Sequence, residues 1–262
     1  MTMAETSSAA TVNGALTIVR TVLREAWRLK LMSTGDYLRV SSIESIIEPV
    51  KLHGRFVSPE ELAPIFEACA ADSSRHGARD AAILATLYVT GMRSGELRAL
   101  DLADYNRVSG KFTIRRSKTG PGRVVFASSE AQVALANWIK MRGRWHGPLF
   151  CTLDRYGGIR GNRFVGSEVS KILRKRIKAA GAAHFSPHDL RRSFITTLLA
   201  IGIDVLTVQK LVGHAVLTST ALYDHRGEKE KKEACDQMKI PLIAPRRLLK
   251  VQLPDTNIFH FT

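Results

Sequence analysis

The chain has 262 residues, 45% of them hydrophobic and 24% charged, enough for one large core or for a main domain with a small one. Lysine and arginine total 39 against 24 acidic residues, a formal net charge of +15 that favours a polyanionic partner, nucleic acid before any other. Three separated cysteines (Cys69, Cys151 and Cys235) argue against a disulfide framework or a zinc site, and no apolar run approaches the roughly 20 residues that span a bilayer.

In chain order, residues 1–10 are small and polar. The opening MTMAETSSAATVNGA lacks a basic region followed by an apolar run, so no signal peptide is expected. Isolated thiols suit a reducing cytoplasm. From Val12 onward, Leu16, Val19, Leu23 and Trp27 recur at helical spacing, while Arg20, Arg24 and Arg28 share another face. That predicts an amphipathic helix over about 12–31 with a basic stripe, and a second short helix over about 34–47. The segment 48–58 (EPVKLHGRFVS) reads as a linker, because Pro49 and Gly54 break the periodicity, and its basic residues suit a strap along DNA. Ser58-Pro59-Glu60-Glu61 then combines a cap, a first-turn proline and a capping box, and a domain boundary is placed here.

Helices are expected at about 59–71, 77–90 and 94–100. Residues 111–116 and 123–127 read as strands joined by the Gly/Pro turn SKTGPG, and a strand near 103–108 would complete a small three-stranded antiparallel sheet. Helices resume at about 129–142, 166–180, 188–202, 204–212, 217–223 and 227–238. The tail, with Pro241, Pro245 and Pro254, has no helical pattern. The expected fold is mainly α with one small three-stranded antiparallel β-sheet. The domains are a short helical segment with its linker (1–57), a main domain (58–239) and a tail (240–262). Within 160–192, Arg160, Arg163, Lys171, Arg174, Lys175, Arg176, Lys178, Arg191 and Arg192 face only Glu168 and Asp189, a concentration that predicts a phosphate-binding surface.

Five separated segments carry chemistry together: TGMRSGEL (90–97), RSKTGPGR (116–123), SPHDLRRSF (186–194), LVGH (211–214) and TALYDH (220–225). Singly, each has an ordinary structural explanation. In this order they resemble the catalytic pattern of the tyrosine site-specific recombinases, the phage-type integrases and Xer-type enzymes: Arg, Lys, His-x-x-Arg, His or Trp, then Tyr. The chain supplies Arg93, Lys118, His188, Arg191, His214 and Tyr223, with Tyr223 nine residues after the Gly-His box. The resemblance covers about residues 58–239.

The chemistry explains the residue types. The pentavalent transition state of phosphodiester attack needs extra negative charge neutralised, and planar guanidiniums do this at any physiological pH. The resemblance assigns that clamp to Arg93 and Arg191. It makes Tyr223 the nucleophile that stores the bond for religation, His188 a base or hydrogen-bond partner, Lys118 the acid protonating the leaving 5′ oxygen, and His214 a donor to a phosphate oxygen. Neither metal nor other cofactor is implied. Gly91, where a side chain would crowd Arg93, Glu96, on the face of Arg93, and Gly213, which lets His214 project inward, are expected supports. Ser186-Pro187 pre-sets a helix start whose amides favour phosphate. DNA contacts are expected from Arg20, Arg24, Arg116, Arg123, Arg163, Lys171, Arg174, Lys175 and Arg192.

The resemblance further implies double-stranded DNA as partner, a homo-tetramer on DNA, an accessory DNA-bending protein, and a cytoplasmic, nucleoid-associated location. It also implies a fuller N-terminal DNA-clamping domain than residues 1–57 supply, so a short or truncated clamp is expected. Three other readings stay open from the residues: a type IB topoisomerase with nearly the same chemistry, an integrase remnant that binds DNA without cutting it, and a helix-turn-helix regulator.

Overall fold

The computed structural model describes residues 8–47, 54–115, 122–214, 218–221 and 223. The expected helix at 227–238, the tail, and the turn carrying Arg116 and Lys118 lie outside the described residues. The chain divides into two compact units, Met1–His53 and Gly54–Thr262.

The first unit is a helical pair, α1 (Ala9–Arg28) and α2 (Thr34–Ser41), each opened by a serine cap. Trp27 stacks on Tyr37 with ring centroids 5.0 Å apart, and its indole N–H donates to Thr34 Oγ1. The Asn13 side chain donates to Ile46 O and accepts from Ile46 N, which ties the following segment back along α1. Two helices cannot enclose a core, so Ile18, Val19 and Val22 stay exposed on α1 and α2 buries no residue.

The second unit is built round α4 (Arg75–Thr90), which buries Ile83, Leu84 and Leu87. Against it pack α3 (Pro59–Ala70), α6 (Ser129–Arg142), α7 (Glu168–Ala179) and α8 (Pro187–Ala200). The expected capping box at Ser58 and Glu61 is formed. Residues 54–57 of the strap pack on α8. Arg55 N donates to Asp189 Oδ1, and Val57 N donates to Ser193 Oγ. The Arg55 guanidinium donates to Ala183 O, His184 O and Glu61, so this cation of the strap is engaged by protein.

The three-stranded antiparallel sheet is present as β1 (Tyr105–Asn106), β2 (Lys111–Ile114) and β3 (Arg123–Phe126), in that order. A second antiparallel pair, β4 (Cys151–Leu153) and β5 (Ile159–Arg163), was not expected. Its sequence lacks alternating apolar residues; the turn is closed instead by Asp154, whose Oδ1 accepts from Tyr156 N and Gly158 N. Beyond it, α5 (Ser94–Ala99), α9 (Val205–Val212) and α10 (Thr218–Ala221) carry the functional segments.

The basic cluster over 160–192 does not form one surface. Arg176 is buried, joined to Asp80 Oδ2 at 2.8 Å and Asp72 Oδ2 at 2.6 Å, while Asp80 Oδ1 receives Arg79 at 2.8 Å. Ser74, then Arg176, holds the Asp72 carboxyl down at about 2 against the effect of burial. This network joins α3, α4 and α7 from within. No described helix is long and apolar enough to cross a membrane.

Candidate active site

Helix α4 ends at Gly91, whose φ of +57° is the left-handed conformation that closes a helix. A Cβ there would stand 2.4 Å from the Phe194 ring, so the crowded partner is Phe194 and not, as expected, Arg93. Arg93 then caps α5, and its guanidinium donates to Glu96 Oε1 at 3.2 Å. Glu96 is almost fully enclosed. It accepts from Arg93 N at 2.7 Å and from Arg123 Nη1 and Nη2 at 2.8 Å each. Burial pushes the Glu96 carboxyl up, but the bonds from Arg123 and Arg93 outweigh it and hold the group below the ordinary carboxylate value.

Arg123 therefore does not sit on a DNA-facing surface as expected. Its side chain is 6% exposed, it forms a fork with Glu96, and its Nε donates to Leu211 O at 2.7 Å. The charge expected to meet phosphate backbone instead joins β3 to α5 and α9. Arg163 stays exposed but is tied to protein, donating to Arg98 O, Leu100 O and Asp101. Arg20 donates to Ile43 O and Ser45 Oγ within its own unit. Arg24, Lys171, Arg174 and Lys175 do present exposed side chains. Arg192 donates to Gly54 O and lies over the Tyr223 ring at 5.6 Å.

Arg191 is the buried centre. Its Nη1 donates to Gly91 O at 2.7 Å and its Nη2 to Val212 O at 2.8 Å. Each of those carbonyls precedes another site residue, Arg93 or His214, by two positions. One guanidinium thus joins three of the sequence segments. Burial, then repulsion from Arg93, pushes the Arg191 pKa down to about 9, and Tyr223 also lies within its electrostatic reach. Arg93 and Arg123 add positive charge round Arg191, and Glu96 opposes it.

Helix α9 closes at Gly213, with φ +66°, where a Cβ would meet the Arg123 guanidinium at 2.9 Å. His214 follows, half-buried. Burial, then Arg191 and Arg93, pushes its pKa down to about 4, so the imidazole is neutral at physiological pH. Its Nδ1 lies 2.9 Å from Thr220 Oγ1. His188, in the first turn of α8, remains exposed. Loss of water round its ring, then Arg191, holds its pKa below the ordinary histidine value. The anion-binding role expected of this helix start is already occupied from within, because the Asp189 carboxylate accepts from Ser186 N and Ser186 Oγ. Tyr223 is buried, three residues beyond Thr220, with its N–H donating to Thr220 O.

Arg93, His188, Arg191 and His214 thus lie within electrostatic reach of one another and Tyr223 within reach of Arg191, with Lys118 outside the described residues. Arg123 as a structural cation and Thr220 as a partner of His214 were missed. Nothing in their spacing distinguishes them from a strand-end cation and a helical threonine. Among the described residues, no cluster of side chains has the makings of a metal site.

Comparison with known proteins meets this geometry directly. The profile of the phage integrase family matches residues 55–230. The chain belongs to the phage integrase family, the tyrosine site-specific recombinases. Tyrosine recombinase XerC of Corynebacterium glutamicum is 34% identical over 185 residues, covering 69% of this chain and 57% of that protein. XerC of Pelotomaculum thermopropionicum is 34% identical over 229 residues, covering 85% and 73%. This phage integrase family chain therefore spans little more than half the length of the Corynebacterium relative. Among solved structures, the XerA recombinase has a TM-score of 0.56 at 23% identity, covering 89% of this chain and 84% of the other. A lambda integrase dimer bound to a COC′ core site has a TM-score of 0.59 at 20% identity, covering 82% and 59%. Both likenesses place this family member's fold among the recombinase catalytic domains.

Proposed function

We propose that the chain is a site-specific DNA recombinase that cuts and rejoins strands through a 3′-phosphotyrosyl bond at Tyr223. The observation that carries this reading is Arg191, a buried guanidinium tied to the carbonyls of Gly91 and Val212, so that Arg93, His214 and Tyr223 surround the charge a scissile phosphate would meet. Arg93 and Arg191 clamp the non-bridging oxygens, and because the clamp is assembled before substrate arrives, little reorganisation accompanies reaction. The Tyr223 oxygen attacks phosphorus, the bond to the 5′ oxygen breaks, and Lys118 gives the departing oxygen its proton. His188 assists removal of the phenolic proton, and neutral His214 donates a hydrogen bond to the phosphate. Religation is the same exchange in reverse, driven by a 5′ hydroxyl.

Double-stranded DNA is the substrate, held through exposed Arg24, Lys171, Arg174 and Lys175, with Arg116 and Arg192 as further contacts. DNA-bound relatives such as the XerH recombinase with its difH substrate support that partner. A homo-tetramer on DNA is the working assembly, with an accessory DNA-bending protein for some sites, and the cytoplasm is the compartment. The domains are a short DNA-clamping segment with its linker over 1–57, a catalytic domain over 58–239 and a tail over 240–262.

The test is a suicide duplex nicked beside the cleavage position, incubated with protein and run on a denaturing gel. A DNA–protein adduct with wild type and none with Tyr223→Phe is expected. Equal behaviour of the two proteins would remove the catalytic reading and leave a DNA-binding remnant. Plasmid relaxation without exchange between paired sites would favour a topoisomerase.

A further inference from the structure

The Thr220 hydroxyl has no place in the chemistry above, yet it is fully buried and lies 2.9 Å from Nδ1 of His214. Its backbone carbonyl accepts from the N–H of Tyr223. One residue therefore touches both the imidazole and the turn that carries the phenol. We propose that Thr220 is a positioning residue whose hydroxyl donates to His214 Nδ1, thereby keeping the proton on Nε2, the nitrogen that faces the phosphate. This inference rests on the recombinase reading of the same site.

An imidazole has two nitrogens, and when neutral only one carries hydrogen; which one is set by the hydrogen bond made at the other. If Nδ1 kept the proton, Nε2 would offer a lone pair to a phosphate oxygen, and two acceptors would face each other. A hydroxyl can donate or accept; donating, it leaves Nδ1 as the acceptor and the proton on Nε2, and that is the arrangement proposed. The imidazole's neutrality follows from its surroundings: burial, then Arg191 and His188 from α8, Arg93 from the start of α5 and Arg123 from β3. Being uncharged, the ring depends on its orientation and tautomer rather than on charge for any effect on phosphate. The His214 main chain is separately fixed, with N donating to Gln209 O and O accepting from Gln209 Nε2. Among the described residues, the Thr220 hydroxyl is the hydrogen-bond partner on the ring itself.

Two substitutions separate this from simple packing. Thr220→Val keeps the shape and removes the hydroxyl; Thr220→Ser keeps the hydroxyl and removes the methyl. With the suicide duplex, Thr220→Val should cleave about tenfold more slowly with DNA affinity unchanged, the lower end of what losing a partner that orients a functional histidine costs. Thr220→Ser should restore most of the rate. In histidine-labelled protein, long-range proton–nitrogen spectra should place the His214 proton on Nε2 in wild type and Thr220→Ser, and shift it towards Nδ1 in Thr220→Val. The idea is overturned if Thr220→Val cleaves at the wild-type rate, if Thr220→Ser fails alongside it, or if the tautomer is the same in all three. The spectra need no DNA, so they fail or succeed independently of the recombinase reading, which the adduct and relaxation assays above test by themselves.

Discussion

Glutamine at position 96 removes one charge from the centre of the site while leaving its shape almost intact. Glu96 accepts two hydrogen bonds on each oxygen: Oε1 from Arg93 Nη1 and Arg123 Nη1, and Oε2 from Arg93 N and Arg123 Nη2. An amide keeps one oxygen and turns the other into a donor, so either orientation loses two of those bonds. Charge-assisted bonds contribute about 1.5–3 kcal/mol each, and removing one partner from a buried ion pair costs about 3–5 kcal/mol. Because both lost bonds involve one group, they are not additive, and Arg93 is partly exposed and can turn to water. The expected loss is about 3 kcal/mol at pH 7, measured by urea unfolding followed through the buried Trp138. The folded-state pKa of Glu96 is depressed. Its stabilisation is therefore complete above the unfolded carboxylate's value near 4.3 and is lost as pH falls through the lower folded value. The gap between wild type and Glu96→Gln should narrow accordingly towards pH 3. A loss below about 1 kcal/mol, or a gap indifferent to pH, would refute the claim that this carboxylate holds the guanidinium cluster together.

Asp80→Ala should destabilise by about 3–5 kcal/mol, because it strands buried Arg79 and Arg176, while leaving cleavage per folded molecule unchanged; calorimetry and the adduct assay check the two halves. Orthovanadate or phosphate should raise the melting temperature of wild type, since an anion relieves the repulsion between Arg93 and Arg191, and Arg93→Gln should abolish that shift. His214 stays neutral when folded down to about pH 4 but protonates near 6.5 when unfolded, so it favours unfolding increasingly as pH falls between those values. His214→Gln should flatten the pH dependence of stability by up to about 1.4 kcal/mol per pH unit there, read from urea midpoints. Replacing Lys171, Arg174 and Lys175 by alanine should reduce the slope of log DNA affinity against log salt by about 0.9 for each phosphate that is no longer neutralised, whereas Arg163→Ala should leave that slope unaltered.

Element positions were largely legible because each rests on local rules. Ser58-Pro59 and Ser186-Pro187 both begin helices with reciprocal caps, and Gly91 and Gly213 both end them in left-handed geometry. The β4–β5 pair was not legible, since it is held by an Asp154 turn rather than by an alternating apolar pattern. Charge was the weakest guide. Arg123 read in sequence as a DNA contact and Arg163 and Arg176 as part of a phosphate-binding face, yet Arg123 and Arg176 are buried against Glu96 and against Asp72 and Asp80, and Arg163, though exposed, is paired with Asp101.

Sequence alone determined the identity and order of the candidate reactive groups, because residue type sets what each could do to a phosphate and local spacing sets which helix end presents it. It determined the helices by the same short-range logic. Which cations serve chemistry and which serve the core was decided only in three dimensions. A guanidinium is charged wherever it sits, and its role depends on the carboxylate or carbonyl that folding brings to it from a remote part of the chain. Arg191, held between the carbonyls of Gly91 and Val212, and Arg123, held by Glu96 and Leu211, owe their different placements to those partners.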